Sequence, residues 1–228
     1  MQSHNISRLE SVAEGLGELN KSVVYVGGAV AELYVTDPAK TDIRETKDVD
    51  CVTQLTSYEK LVELEDALRK KGFQNDTSPG APICRWIYRG EIVDIMPDDA
   101  KIMGFTNRWY HEALLFKETR KLSNGISIYI FSLPYYVATK LEAAKKRGGD
   151  DWRFSHDFED IVYILNYCPD FLVSAREASS ELKLYLKREF AGLLCRDNIM
   201  EEVECMLPYG EEDRIDYIYG IMREIAEL

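Results

Sequence analysis

The chain lacks several features that would assign it to a common class. None of its hydrophobic runs approaches the length of a membrane-spanning helix, and it has no basic, apolar leader typical of secretion. Its five cysteines are odd in number and show no Cys-x-x-Cys spacing, which disfavours a disulfide framework or a zinc site. Its three histidines are scattered, so neither a histidine-centred metal site nor a Ser/His/Asp triad is indicated. We therefore expect a cytoplasmic protein with reduced thiols and no membrane partner.

Basic charge is also scarce. The chain has 28 Lys and Arg residues against 40 Asp and Glu residues, a formal net charge of −12, which weighs against a large nucleic-acid footprint. Ten acidic and two basic residues lie between Asp197 and Leu228. Two interpretations of this acidic segment stand: a solvated helical face, or a docking site for a basic partner.

The most informative stretch is a strand, a turn and a second strand near the N-terminus. Val23–Val26 predicts a short buried strand, and Gly27 and Gly28 predict a tight turn into helical turns whose first N–H groups suit a phosphate. The second strand begins at Asp48, and alternation places Asp48 and Asp50 on one face. Two carboxylates about 4 Å apart repel by about 4 kcal/mol at an effective dielectric of about 20. A divalent cation would explain why the chain accepts this repulsion.

Periodicity and turn signals predict the remaining elements. They are an amphipathic helix over 6–19, a helix from a Thr56–Glu59 capping box to Gly72, a hairpin around Arg89-Gly90, a hairpin with a two-residue turn at Asn124-Gly125, a helix over 132–147, and only helices from Asp157 onward. The pattern predicts an α+β fold. We expect a mixed α/β domain over residues 1–131 and an all-helical C-terminal domain over residues 132–228.

The turn and the second strand also carry a family resemblance. Gly27-Gly28 and the run RETKDVD over 44–50 resemble the nucleotidyltransferases of the DNA polymerase β superfamily, whose signature is a Gly-Gly or Gly-Ser turn followed by Asp-x-Asp. The Arg-x-Thr-x-Asp-x-Asp form is most similar to the abortive-infection (AbiEii-like) toxins and related minimal nucleotidyltransferases. Many relatives carry Ser where this chain has Gly28, so backbone N–H groups take that role here. The resemblance implies a polymerase-β-like mixed sheet with flanking helices.

The resemblance assigns a metal site to three carboxylates. Asp48 and Asp50 are expected to bind Mg²⁺ or Mn²⁺. Asp94, which lies between apolar residues in the second arm of the Arg89-Gly90 hairpin, is expected to be the third ligand and the base for the acceptor hydroxyl. Asp98 and Asp99, in the turn that follows, are the alternatives for this third position.

The resemblance also assigns the nucleotide contacts. Gly27 and Gly28 are expected to seat the triphosphate of an NTP substrate, and Lys140 is expected to neutralise its outer phosphates with help from Arg147. Other interpretations of these cations stay open. Lys140 would equally suit a solvated helix face, and Arg147 would suit a surface cation favoured by the helix dipole. Arg44 would contact substrate or pair with a neighbouring carboxylate.

The implied activity is transfer of a nucleoside monophosphate from an NTP to an acceptor hydroxyl, with release of pyrophosphate. RNA, tRNA, protein and small molecules are all candidate acceptors, and the toxin branch suggests an antitoxin protein as a candidate partner. Two alternatives remain: a nucleotide-binding regulatory module with little turnover, and an antibiotic (aminoglycoside-type) nucleotidyltransferase. The complete set of three carboxylates argues against a regulatory module. The sequence of residues 44–50 argues against an antibiotic nucleotidyltransferase.

Overall fold

A computed structural model describes residues 3–35 and 43–228 of the chain. These residues form two compact units. One unit, here called the α/β unit, contains residues 3–30 and Arg44–Ser132 and holds all of the described strands. The other, the helical unit, contains residues 31–35, Ile43 and Leu133–Leu228. The protein is therefore α+β, as the sequence predicted.

A mixed sheet of seven strands forms the framework of the α/β unit. The strands are β1 (Val23–Val26), β2 (Asp48–Thr53), β3 (Gln74–Asn75), β4 (Arg85–Tyr88), β5 (Glu91–Pro97), β6 (Lys117–Lys121) and β7 (Ser127–Phe131). Their order across the sheet is β3-β4-β5-β2-β1-β7-β6. The β2–β5 and β1–β7 pairs are parallel, whereas the other neighbouring strands are antiparallel.

Helices account for most of the remaining described residues. The α-helices are α1 (His4–Leu16), α2 (Tyr58–Lys70), α3 (Ala100–Met103), α4 (Tyr110–Ala113), α5 (Leu133–Arg147), α6 (His156–Tyr167), α7 (Asp170–Glu177), α8 (Ser180–Leu194), α9 (Ile199–Glu204) and α10 (Ile215–Ala226). Short 3₁₀ helices cover Gly17–Ser22, Gly28–Leu33, Leu114–Phe116 and Glu212–Arg214. Over residues 3–35 and 43–228, none of the helices combines the length and the apolar character needed to cross a membrane.

One face of the sheet is covered by the first helix. α1 packs against β2 and β5, and a stripe of its apolar side chains is fully buried. Gly15 of α1 lies so close to Tyr88 that an added Cβ would fall 2.4 Å from the ring. The strand register places Tyr88 on the same face as Val49 and Cys51, both fully buried. Asp48 and Asp50 alternate with these residues and therefore lie on the opposite face.

The N-terminus of α2 corrects one local prediction. The side chain of Ser57, rather than that of Thr56, caps this helix by accepting a hydrogen bond from the Lys60 N–H at 3.3 Å. The helix begins one residue later than the expected capping box because the extended backbone of Ser57 places its hydroxyl over the first turn. The helix still ends just before Gly72, as predicted.

The two hairpins differ in how well the sequence predicted their turns. Arg89 and Gly90 form the expected two-residue turn, and both have positive φ angles, of 49° and 87°. In the other hairpin the ladder continues to the Leu122–Ile126 pair, so the turn has three residues instead of two. The Oε1 atom of Glu10 accepts hydrogen bonds from the hydroxyl of Ser123 and the N–H of Asn124, at 2.7 Å each. These contacts from α1 favour the wider turn.

The helical unit is built around α5. This helix packs against α6, α7 and α8, and α10 packs against α6 and α8. The acidic segment at the C-terminus contributes ion pairs within the unit. Its members Glu201, Glu202 and Glu224 pair with Arg153, Arg196 and Arg176, respectively.

Candidate metal centre

Three aspartates converge on the open face of the sheet. β2 and β5 run parallel with Asp50 directly beside Asp94, and Asp48 lies two residues earlier on the same face. One carboxylate oxygen from each of these three residues lies within 4.8 Å of the others. Asp94 is buried, whereas Asp48 and Asp50 are partly exposed. We call Asp48, Asp50 and Asp94 the aspartate cluster.

Gly27 lies against this cluster, in the turn that follows β1. It has a φ angle of 74°, which side-chain-bearing residues rarely adopt, and a Cβ built on it would fall 2.1 Å from the Oδ2 atom of Asp50. Glycine is therefore required here because the Asp50 carboxylate approaches the backbone closely. Gly28 is buried and begins the 3₁₀ helix Gly28–Leu33. The expectation that Gly27 and Gly28 seat a triphosphate stays a prediction.

Arg85 is a member of the site that sequence reasoning missed. It faces Asp94 across the β4–β5 hairpin, and its Nε and Nη2 atoms donate hydrogen bonds to the Oδ1 and Oδ2 atoms of Asp94 at 2.9 and 2.8 Å. Its Nη2 atom also lies 3.7 Å from the Oδ2 atom of Asp48. The hydrogen bonds to Asp94 raise the pKa of Arg85. The predicted turn at Arg89-Gly90 was the signal, because a two-residue turn sets Arg85 opposite Asp94.

Asn5 was also missed, although it holds the entry to β2. Its side chain is 2% exposed and donates a hydrogen bond to the backbone oxygen of Arg44 at 3.1 Å. Its Oδ1 atom accepts from the backbone N–H and the hydroxyl of Thr46 at 2.9 and 3.2 Å. The Thr46 hydroxyl also lies 3.2 Å from the backbone oxygen of Asp48. Asn5 and Thr46 therefore position the strand that carries the first two aspartates.

Two buried cysteines near the cluster do not add ligands to it. Burial, together with the charges of Asp50 and Asp94, raises the pKa of Cys51 well above its ordinary value. Burial and the Asp94 charge likewise raise the pKa of Cys84 to about 12. Cys51 alternates with Asp50 along β2 and so lies on the opposite face of the sheet, and neither thiol is among the ligand atoms that converge. The cluster therefore offers oxygen ligands alone, the donor set that Mg²⁺, Mn²⁺ and Ca²⁺ prefer.

The size of the cluster fits a divalent cation. Oxygen ligands lie about 2.1 Å from Mg²⁺ and about 2.3–2.6 Å from Ca²⁺, so opposite ligands are separated by roughly 4.2 Å and 4.6–5.2 Å. The ligand atoms of the aspartate cluster all lie within 4.8 Å of one another, which is close enough for them to share one such ion.

The alternative third carboxylates take other roles. The Oδ1 atom of Asp98 accepts a hydrogen bond from the backbone N–H of Leu55 at 3.0 Å, and its Oδ2 atom lies 2.7 Å from His111 Nδ1. Asp99 caps α3 by accepting from the N–H of Lys101 at 2.9 Å. Neither residue is part of the aspartate cluster.

Lys140 and Arg147 belong to the helical unit, where both pair with carboxylates of α6. The Lys140 Nζ atom lies 3.3 Å from Asp157 Oδ1 and 2.5 Å from Asp160 Oδ2, and the Arg147 Nη2 atom lies 2.6 Å from Asp157 Oδ2. Lys140 is only 7% exposed, so its alternative placement on a solvated helix face is wrong. We call these four residues the Lys140 cluster. The nucleotide contacts expected of Lys140 and Arg147 stay predictions.

Comparison of the chain with models of known protein families gave no match, and comparison with curated proteins likewise gave none.

Proposed function

We propose that the chain is a metal-dependent nucleotidyltransferase with a polymerase-β-like α/β unit. The observation that carries this proposal is the convergence of Asp48, Asp50 and Asp94, with Gly27 in contact with Asp50. Carboxylates held this close repel one another, and a divalent cation offsets that repulsion. The Gly-Gly turn precedes Asp48 and Asp50 in the chain, which agrees with the order of elements that the sequence resemblance implies.

The proposed reaction is a displacement at the α-phosphorus of an NTP. The oxygen of the acceptor hydroxyl bonds to the α-phosphorus while the bond from that phosphorus to the oxygen bridging to the β-phosphate breaks. Pyrophosphate leaves with the electron pair, and the proton of the hydroxyl passes to a carboxylate or to water. A divalent cation at the site would stabilise the charge on the attacking and leaving oxygens. Asp48, Asp50 and Asp94 would hold it, and the backbone at Gly27 leaves room for them.

The acceptor defines the subclass of the proposed enzyme. The resemblance favours RNA, tRNA or protein acceptors and a toxin held in check by an antitoxin. The net charge of −12 attracts cationic small molecules and so supports an aminoglycoside as a further acceptor to test. A regulatory module that binds nucleotide without turnover is the remaining outcome.

The test is incubation of the purified protein with each α-labelled NTP, Mg²⁺ or Mn²⁺, and total RNA, purified protein or an aminoglycoside. We expect label to move to one acceptor class with release of unlabelled pyrophosphate. Asp50→Asn should abolish the transfer. Asp66→Asn should not, because Asp66 lies on the exposed surface of α2, where it pairs with Arg69. Nucleotide binding without transfer to any acceptor would overturn the enzymatic proposal in favour of the regulatory module.

A further inference from the structure

We propose that Arg85 is a built-in counter-ion of the aspartate cluster, which lowers the affinity of the cluster for a divalent cation until nucleotide arrives. This inference rests on the cation site of the proposed function and concerns its regulation. The geometry that supports it is the paired contact to Asp94, in which one guanidinium group donates to both carboxylate oxygens. Asp94 is 7% exposed, so this contact is shielded from solvent on the carboxylate side.

Arg85 changes the charge balance of the aspartate cluster. The three carboxylates of the cluster carry three negative charges, and the guanidinium of Arg85 brings the formal charge of these four side chains to −2. A divalent cation placed among the carboxylates would be repelled by the guanidinium 2.8 Å from Asp94 Oδ2. Electrostatic repulsion between two positive charges is strong when the charges are close together and partly buried. Arg85 therefore opposes binding of the cation while it stabilises Asp94 without one.

Arg85 also occupies lone pairs of Asp94. Each of its oxygens already accepts one charge-assisted hydrogen bond from Arg85, and such bonds are about twice as strong as neutral ones. The carboxylate has room for further partners, since two oxygens offer about four acceptor positions. The Asp94 carboxylate is therefore held in one orientation, and its negative charge is stabilised by the Arg85 guanidinium. A carboxylate held in this way is a fixed ligand.

A bound nucleotide would change the effect of Arg85 on the cation. The phosphates of an NTP are negative. When a divalent cation arrives bound to an NTP, the phosphates offset the positive charge that Arg85 repels in the metal alone. Arg85 would repel the bare cation and would be attracted by the phosphates. The cluster would therefore bind metal together with nucleotide in preference to metal alone.

The test is Mn²⁺ binding without nucleotide or acceptor, measured by electron paramagnetic resonance of free Mn²⁺ at low ionic strength. We expect Arg85→Gln to bind Mn²⁺ at least tenfold more tightly than the native chain, because one repelling charge is removed. Arg85→Lys keeps the charge and should stay within threefold of the native affinity. The gain in Arg85→Gln should shrink as salt is raised.

The matched control is Arg69→Gln. Arg69 lies in the same unit, on α2, where it pairs with Glu65 and Asp66. Its replacement removes the same charge from the chain without touching the aspartate cluster, so the Mn²⁺ affinity should not change. An equal gain in Arg69→Gln and Arg85→Gln would reduce the effect to overall net charge and overturn the proposal.

A second pair of variants keeps the test valid if Arg85→Gln fails to fold. Asp94→Asn removes the paired carboxylate, and the double variant Asp94→Asn, Arg85→Gln removes both charges and leaves two neutral amides. Replacing both partners of a buried pair is better tolerated than replacing one. The double variant should bind Mn²⁺ more tightly than Asp94→Asn alone.

Other outcomes overturn the proposal. Unchanged or weaker Mn²⁺ binding in Arg85→Gln, with a lowered melting temperature, would make Arg85 a structural link between β4 and β5. Tighter binding in both Arg85→Lys and Arg85→Gln would exclude charge as the cause. These measurements use no nucleotide, so they separate this inference from the proposed function. Absence of Mn²⁺ binding in every variant would overturn the proposal about Arg85 alone. If the variants show the expected Mn²⁺ affinities but the native chain transfers no label, the proposed transferase activity would be overturned instead.

Discussion

The aspartate cluster and the Lys140 cluster both gather carboxylates, but they differ in how they balance charge. In the aspartate cluster, three carboxylates lie near the guanidinium of Arg85, and the formal charges of these four side chains sum to −2. Asp48 and Asp50 remain partly exposed. The imbalance and the exposure leave this cluster able to gain a cation.

The Lys140 cluster is balanced. Two carboxylates face one ammonium and one guanidinium group, and the four charges sum to zero. Lys140, Asp157 and Asp160 are 7%, 6% and 1% exposed. Buried charges that are fully paired mainly satisfy one another, and breaking such a pair is costly.

A candidate metal site therefore differs from a structural ion-pair network in its balance of charge more than in its number of carboxylates. Asp48 and Asp50, which are partly exposed, should be replaceable with little loss of stability and a large loss of activity. Lys140, Asp157 and Asp160, which are buried, should show a large loss of stability when replaced. Four measurements test that contrast.

Asp50→Asn is expected to lower the rate of label transfer at least thousandfold, which corresponds to about 4 kcal/mol of transition-state stabilisation. The loss follows because the variant removes a charged metal ligand. The melting temperature should stay the same or rise, since one of the repelling carboxylates is neutralised. Transfer within threefold of the native rate would remove the aspartate cluster from the mechanism.

Lys140→Met is expected to destabilise the protein by about 3–5 kcal/mol, because it leaves Asp157 and Asp160 without their shared ammonium group. For a chain of this size the melting temperature should fall by roughly 6–20 °C. Thermal unfolding followed by circular dichroism measures the shift. The double variant Lys140→Met, Asp160→Leu should recover much of the loss, because it removes one charge of each sign. A full loss in the double variant would contradict the structural role of the pair.

Mg²⁺ together with a non-hydrolysable NTP is expected to stabilise the native chain by about 2.7 kcal/mol at a hundredfold excess over Kd. This corresponds to a rise in melting temperature of roughly 5–11 °C. The rise should vanish in the double variant Asp48→Asn, Asp50→Asn. A melting curve that ignores every Mg²⁺–NTP pair would argue against the aspartate cluster as a ligand site.

Acid is expected to weaken the helical unit through Glu202, with the smallest effect of the four. Burial raises the pKa of Glu202, but hydrogen bonds from Arg196 and from the Trp152 N–H outweigh burial and hold the pKa below its ordinary value of 4.5. The folded state therefore binds this proton less readily than the unfolded state does. The stabilisation is present above pH 4.5 and is lost as the pH falls through the lowered pKa.

Unfolding in denaturant between pH 3 and pH 6 measures this effect. Glu202→Gln should be less stable than the native chain at pH 6 and should lose less stability on acidification. The slope of its unfolding free energy against pH should be smaller by an amount that corresponds to on the order of one bound proton per molecule. Glu201→Gln is the control, since Glu201 is 55% exposed in its pair with Arg153. Equal slopes in the native chain and Glu202→Gln would show that Glu202 does not contribute.

Local interactions made part of the fold predictable from the sequence. The bounds of β1, the hairpin turn at Arg89-Gly90 and the shared face of Asp48 and Asp50 follow from a short apolar run, from turn chemistry and from alternation, each over a few residues. The same turn also determines that Arg85 faces Asp94, although that consequence was missed. These features need no knowledge of distant chain segments.

Tertiary structure decided which distant segments meet. The parallel pairing of β2 with β5 places Asp50 beside Asp94, and the amide of Asn5 holds Thr46 at the entry to β2. Periodicity in one segment says nothing about its partner, because the choice of neighbour and register depends on packing and hydrogen bonds summed over the whole sheet. Burial of Lys140 between Asp157 and Asp160 was likewise beyond the sequence. A lysine on an amphipathic helix becomes a buried ion pair only when a second helix brings carboxylates to it.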